Sequence, residues 1–89
     1  MGQLPVPGEI YLNDFPDKTT YTITRDGQAI GDFDGLTNSD EGGNHIAFLY
    51  GTKIEIGDII SSEFETPIKV KATGIDTYNG TAEIIKAYY

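Results

Sequence analysis

The chain has 89 residues, which is the length of one small domain. It contains no cysteine, so a disulfide framework, a thiolate metal site and a cysteine nucleophile are excluded. Its 14 acidic and 6 basic side chains give a net charge of −8, which disfavours nucleic acid and anionic lipid as partners. So short a chain has little room for both a core and a deep cleft, so we expect no enzymatic activity and no cofactor.

The N-terminal residues predict an arm followed by a strand. Residues 1–8 contain Pro5 and Pro7 and show no periodic pattern, which is typical of an extended segment. This arm is either a free terminus or a segment that lies on a neighbouring subunit. Residues 9–12 are a short strand candidate, and the Asn, Asp and Pro residues within 13–17 predict a turn.

Two patterned segments around Asp26-Gly27 predict a hairpin. Residues 19–24 alternate, with Tyr and Ile on one face and Thr on the other, as in a half-buried strand. Asp-Gly favours a tight turn, because glycine adopts positive φ at low cost. We expect the return strand to cover residues 28–33.

Residues 34–44 are rich in glycine and acidic side chains and lack an apolar period, which predicts a mobile acidic loop. If Gly35 takes the sharp-turn position of a calcium-binding loop, the oxygen-ligand positions fall on Asp32, Asp34, Asn38 and Glu41. The first ligand position holds Ile30 instead of an acid, so a simple solvated loop is the alternative. The only histidine, His45, ends this loop, and we expect it to be solvated rather than part of a catalytic triad.

The second half of the chain predicts further strands at a spacing of about ten residues. The predicted strands cover residues 45–50, 53–56, 59–64, 68–75 and 81–89, with turns at Gly57-Asp58 and Asn79-Gly80. The last segment also contains helix formers, but the Asn-Gly turn before it favours a strand that returns along 68–75. These elements predict an all-β fold over residues 9–89, a small antiparallel barrel or sandwich of six to eight short strands.

The aromatic and basic residues suggest where the core and an interface lie. We expect the core to contain Phe33, Phe48 and Phe64. Tyrosine is enriched at protein interfaces, and the C-terminal tyrosines are expected to be exposed or half-exposed. The interface candidates are Pro5, Pro7, Tyr78, Tyr88 and Tyr89. Four lysines of the second half are interspersed with acidic residues: Lys53, Lys69, Lys71 and Lys86.

Four segments carry a resemblance to a known family. The runs at 51–60 (GTKIEIGDII), 69–71 (KVK), 75–80 (IDTYNG) and 84–89 (IIKAYY) combine a Gly-Asp turn between strands with a terminal aromatic pair. With the opening Pro-x-x-Gly-Glu-Ile-Tyr of residues 5–11, they resemble the small β-barrel head-completion proteins of tailed bacteriophages, the neck proteins that join head and tail. The likeness covers most of residues 45–89.

The resemblance implies a non-enzymatic virion protein that forms a ring and closes the capsid exit or docks the tail. Its partners would be other copies of itself and the neighbouring capsid or tail proteins. DNA would pass through the ring without specific binding or membrane contact. The protein would occupy the host cytoplasm during assembly and then the virion. The lumen or gating residues would be Asp34, Asn38, Asp40 and Glu41. The alternative from the residues alone is an SH3-like or OB-like barrel that acts as a protein-interaction module.

Overall fold

The computed structural model describes residues 2–13, 18–63 and 66–89 of the chain. In these ranges it has eight strands, the six-residue helix α1 (Gly8–Asn13) and one 3₁₀ turn (Tyr50–Thr52). The strands are β1 (Gly2–Gln3), β2 (Thr19–Arg25), β3 (Gln28–Asp40), β4 (Gly43–Leu49), β5 (Ile59–Ser61), β6 (Ile68–Lys69), β7 (Ala72–Tyr78) and β8 (Thr81–Tyr88). The all-β prediction is therefore confirmed. Among the described residues, no helix has the length and apolar character needed to cross a bilayer.

The strands form one curled sheet in the order β1-β7-β8-β4-β3-β2-β5-β6. All neighbours are antiparallel except β1 and β7, which are parallel. Two long segments curl the sheet by pairing differently along their length. The first part of β3 pairs with β2 and the second part with β4. Likewise β6 pairs with β5, while β7, only two residues further on, pairs with β8. The result is a barrel-like wall around one core.

Two hairpin turns have the backbone that their sequences predict. Asp26 and Gly27 have φ values of 52° and 82°, and Asn79 and Gly80 have 52° and 79°. Two successive residues with positive φ match the twist of paired strands, which is why Asp-Gly and Asn-Gly are favoured there. The predicted hairpins β2–β3 and β7–β8 are thus confirmed, and the last segment is a strand.

The buried apolar side chains form two clusters on opposite faces of β4 and β8. The inner cluster fills the barrel with Tyr21, Ile23, Ile46, Phe48, Ile54, Ile60, Val70, Ile85 and Ala87. The outer cluster comprises Leu4, Leu12, Leu36, Ala47 and Ile84. Neighbouring residues point to opposite faces, so both faces of these strands are covered. Phe48 lies in the core as predicted and Phe33 packs against it, while Phe64 is outside the described residues.

The N-terminal predictions need two corrections. The arm at 1–8 is not a separate extension: its strand β1 pairs with β7, and Leu4 N donates a 2.7 Å hydrogen bond to Thr77 O of the same chain. Residues 9–12 belong to a helix, not to a strand. That helix buries Leu12 in the outer cluster, and six residues are too few to show a helical period in the sequence. Of the predicted turn at 13–17, Asn13 is the last residue of the helix and residues 14–17 lie outside the described residues.

The predicted mobile loop at 34–44 is also wrong, because β3 continues to Asp40 and β4 begins at Gly43. The ends of this hairpin are exposed on both faces, so no apolar alternation marks them in the sequence. The segment 53–56 is not a strand, since Lys53 has a φ of 56° and interrupts extended pairing. The predicted alternation is lost as well, because Ile54 is buried whereas Ile56, two residues on, is exposed.

Candidate interaction surface

The predicted calcium ligands lie along an extended strand and do not surround one point. Asp32 and Asp34 accept 2.7 Å hydrogen bonds from the hydroxyls of Thr22 and Thr20 on the neighbouring strand. Each strand residue advances the chain by about 3.3 Å, whereas calcium needs its ligands within about 2.6 Å of one ion. The structure therefore contradicts the calcium arrangement. Among the described residues, no three His, Asp or Glu side chains are placed to hold a metal ion.

The other predicted loop residues are ordered by local contacts. Asn38 accepts a hydrogen bond from Ser39 N through its own side-chain oxygen, and Glu41 stands exposed in the β3–β4 turn. The Oδ2 atom of Asp40 accepts hydrogen bonds of 2.9 Å from Lys86 Nζ and from the Tyr88 hydroxyl. These contacts tie the hairpin end to β8.

Asp40 lies at the centre of a charged network on the outer face of the sheet. Lys86 also contacts Asp76 at 3.1 Å, and the ring centroids of His45 and Tyr88 lie 5.0 Å apart. The hydrogen bonds from Lys86, and next from Tyr88, hold the pKa of the Asp40 carboxyl well below its usual range. Burial raises the pKa of the Tyr88 hydroxyl. His45 is buried, contrary to the prediction of a solvated loop histidine.

The predicted interface residues differ in their exposure. Pro5 and Tyr89 are exposed, Pro7 and Tyr88 are half-buried, and Tyr78 packs against the outer cluster. Tyr88 is already engaged with Asp40, so its hydroxyl is part of the fold's own network. The structure instead brings together exposed apolar side chains that the sequence did not single out.

A second polar cluster holds residues 53–58 in place next to these apolar side chains. Asp58 is almost fully buried and accepts hydrogen bonds from Arg25 Nε and Nη2 at 2.8 Å each. It also accepts a 2.9 Å hydrogen bond from Glu55 N, and the carbonyl of Lys53 accepts one from Arg25 at 3.1 Å. The guanidinium holds the pKa of the Asp58 carboxyl below its usual range. Residues 53–58 are thereby fixed against β2.

Next to this fixed segment lies an apolar groove of about 330 Å³, between residues 50–55 and the inner side of β7. Its lining residues are Tyr50, Lys53, Ile54, Glu55, Ile75 and Ile85. Tyr50 is 47% exposed, Ile75 is half-buried, and Ile54 and Ile85 form the buried floor of the groove. Ile56, which follows Glu55 in the chain, is 68% exposed. Exposed apolar side chains that gather at one place mark a surface suited to a protein partner.

The edge of β7 that does not face β8 is open next to this groove. Strand β1 pairs with Asp76 and Thr77 only. Among the described residues, no strand pairs with Ala72–Gly74 on that side. An open strand edge offers unpaired backbone N–H and C=O groups to another chain.

Three exposed lysines surround the open edge. Lys53 lines the groove, Lys71 directly precedes β7, and Lys69 lies two residues before Lys71. Within the described part of the chain, none of their ammonium groups has a carboxylate partner, whereas Arg25 and Lys86 are both paired. We name this surface the basic edge: the apolar groove, the open stretch of β7 and these three lysines. The sequence showed the lysines but not their grouping, because residues 53 and 69–71 meet only through the fold.

Two further open cavities lie among the described residues, one with a polar lining and one with a mixed lining. The larger, of about 620 Å³, is lined by Lys18, Thr19, Thr20, Thr22, Asp32, Ser61, Ser62 and Glu63. The other, of about 350 Å³, shares Lys18 and Asp32 with it and reaches Leu49 and Thr52. Neither shares a residue with the groove. We name the surface at Asp32, Asp34 and Glu63 the acidic face; Lys18 is the one basic residue that lines its cavities. It borders the basic edge along the chain, because Thr52 lines the smaller cavity and Lys53 lines the groove.

Comparison of this chain with protein-family models, with curated proteins and with solved structures finds no match.

Proposed function

We propose that this chain is a non-enzymatic assembly protein of the phage head–tail junction that forms a ring at the capsid exit or docks the tail. The observation that carries the proposal is the basic edge. It is built from the segments that resemble the neck proteins, since residues 51–60 and 75–80 supply most of the groove. An exposed apolar groove beside an open strand edge is the surface expected of a subunit that is completed by another protein.

The shape of the chain supports the same role. The described cavities are open grooves, and the ion pairs Arg25–Asp58 and Lys86–Asp40 join elements of the fold. The net charge of −8 suits a ring through which DNA slides without binding, because like charges repel.

Oligomeric state tests the proposal directly. Sedimentation velocity and mass photometry of the purified chain, from micromolar to millimolar concentration, should show a species of one fixed size above the monomer. Electron microscopy of that species should show a ring, and the protein should co-sediment with phage particles. A monomer at every concentration, with no ring in particles, would contradict the proposal.

One observation favours a second candidate, a peptide-binding module with an SH3-like or OB-like role. The open stretch of β7 at Ala72–Gly74 lies beside an apolar groove, which is the geometry used when a partner peptide adds a strand to a sheet. A monomer that binds an extended apolar peptide saturably, with chemical-shift changes confined to β7 and residues 50–56, would support this candidate over the ring.

A further inference from the structure

We infer that the basic edge of one copy receives the acidic face of the next copy, so that the subunits associate head to tail. This inference rests on the proposed ring and names the two surfaces that would form it. It commits to a second copy as the occupant of the groove, because the chain itself carries a surface of complementary charge.

The acidic face is held in a defined geometry. Asp32 and Asp34 are two residues apart on β3, so both carboxylates project from the same side of the sheet. Thr22 and Thr20 each donate to one oxygen, Oδ1, of these carboxylates. Both aspartates are exposed, and Glu63 lines the same cavity as Asp32. The described carboxylates are thus oriented by the fold while remaining accessible.

The basic edge concentrates positive charge on a strongly acidic chain. Only six residues are basic, and three of them, Lys53, Lys69 and Lys71, belong to this edge. Two copies that met through their acidic faces would repel each other, whereas contact between an acidic face and a basic edge brings opposite charges together. The apolar groove adds the buried area that charge alone does not supply.

One copy offers both surfaces to its neighbours, and the cavities beside them have no lining residue in common. A contact between two different surfaces is heterologous, and repeated copies then form a closed ring when the rotation between them closes. The contact should weaken with rising salt, because exposed ion pairs are screened.

Charge exchange tests the inference. One variant carries Lys53→Glu and Lys71→Glu, and a second carries Asp32→Lys and Asp34→Lys. Each alone places like charges on both sides of the contact, and we expect its self-association to weaken roughly tenfold or more. A mixture of the two restores opposite charges at every contact, so we expect larger species to reappear in sedimentation velocity. The control Asp26→Asn with Glu41→Lys also makes the chain less acidic, at exposed turn positions outside both surfaces, and it should associate like the unmodified chain. Asparagine tolerates the positive φ of position 26.

The outcomes separate the inference from the proposed function. Circular dichroism first confirms that each variant is folded. If the unmodified chain assembles and the mixture does not, or if neither variant weakens assembly, the inference is overturned while the ring survives. If the unmodified chain never assembles, the proposed ring itself fails. Reassembly that occurs only in the mixture supports the head-to-tail contact.

Discussion

Arg25 donates two hydrogen bonds of 2.8 Å to Asp58, one to each carboxylate oxygen, and so joins β2 to the turn before β5. The two residues are 33 positions apart in the chain. Asp58 is 2% exposed, so its charge is balanced by the guanidinium rather than by water. The same carboxylate accepts a hydrogen bond from Glu55 N. This bond fixes the segment that forms one wall of the apolar groove.

Replacing Asp58 should therefore destabilise the fold and loosen the groove. We expect Asp58→Ala to lower the free energy of unfolding by about 2–3 kcal/mol, because the guanidinium and a backbone N–H both lose their acceptor. Urea unfolding followed by circular dichroism measures this change. The matched control Glu55→Gln removes only the exposed 3.0 Å contact with Arg25 and should cost under about 1 kcal/mol. Equal losses in both variants would show that Asp58 has no special role.

The Asp40 network should make the free energy of unfolding fall at acidic pH. The pKa of Asp40 in the folded chain lies below that of an unpaired aspartate, about 3.9. The stability that ionised Asp40 contributes to the fold is therefore fully present at a pH above the pKa of the unfolded state. It is lost as the pH falls through the lowered pKa of the folded state. In urea titrations between pH 6 and pH 2, Asp40→Asn should reduce the acid-dependent loss of stability relative to the unmodified chain. Parallel pH curves for the two proteins would contradict this origin of the acid sensitivity.

Gly35 stands where β3 changes its partner from β2 to β4. A Cβ atom there would lie 2.8 Å from both Ile46 Cγ2 and Phe48 Cε1, which belong to the buried core. Gly35→Ala should therefore lower the free energy of unfolding by about 1–3 kcal/mol through overpacking. Gly51→Ala is the matched control, because no atom lies within 4 Å of the added methyl group, and it should leave the melting temperature nearly unchanged. A neutral Gly35→Ala would mean that the core can shift to accept the methyl group.

Leu4 docks the N-terminal segment on the outer cluster of its own chain. We expect Leu4→Ala to lower the free energy of unfolding by about 2–3 kcal/mol through loss of buried apolar contact. The loss should be the same at low and high protein concentration, since the contact is intramolecular. A loss that appears only at high concentration would place the segment on a neighbouring subunit instead. The exposed neighbour Pro5 supplies the control, and Pro5→Ala should have little effect on stability.

The sequence shows the residue types that form the candidate surface, but it does not show that they lie together in space. Lys53, Lys69 and Lys71 are interspersed with acidic residues in the sequence. No local sequence pattern predicts that Lys53 lies near the other two lysines. Their grouping depends on the hydrogen bonds of Gly57 and Asp58 with Val70, which place the two segments side by side. Asp58 was recognised as a turn residue only, since its partner Arg25 is remote in the chain.

The sequence by itself determined the all-β class, the turns at Asp26-Gly27 and Asn79-Gly80, and the half-buried strand at 19–24. These follow from local chemistry, because positive φ and two-residue alternation act within a few neighbouring positions. Only the tertiary structure decided that residues 34–40 continue a strand and that residues 8–13 form a helix. Strand β3 is completed by its pairing with β4, and helix α1 by burial of Leu12 beside Ile84, more than seventy positions away. Such long-range contacts leave no periodic signal in the segments that they stabilise.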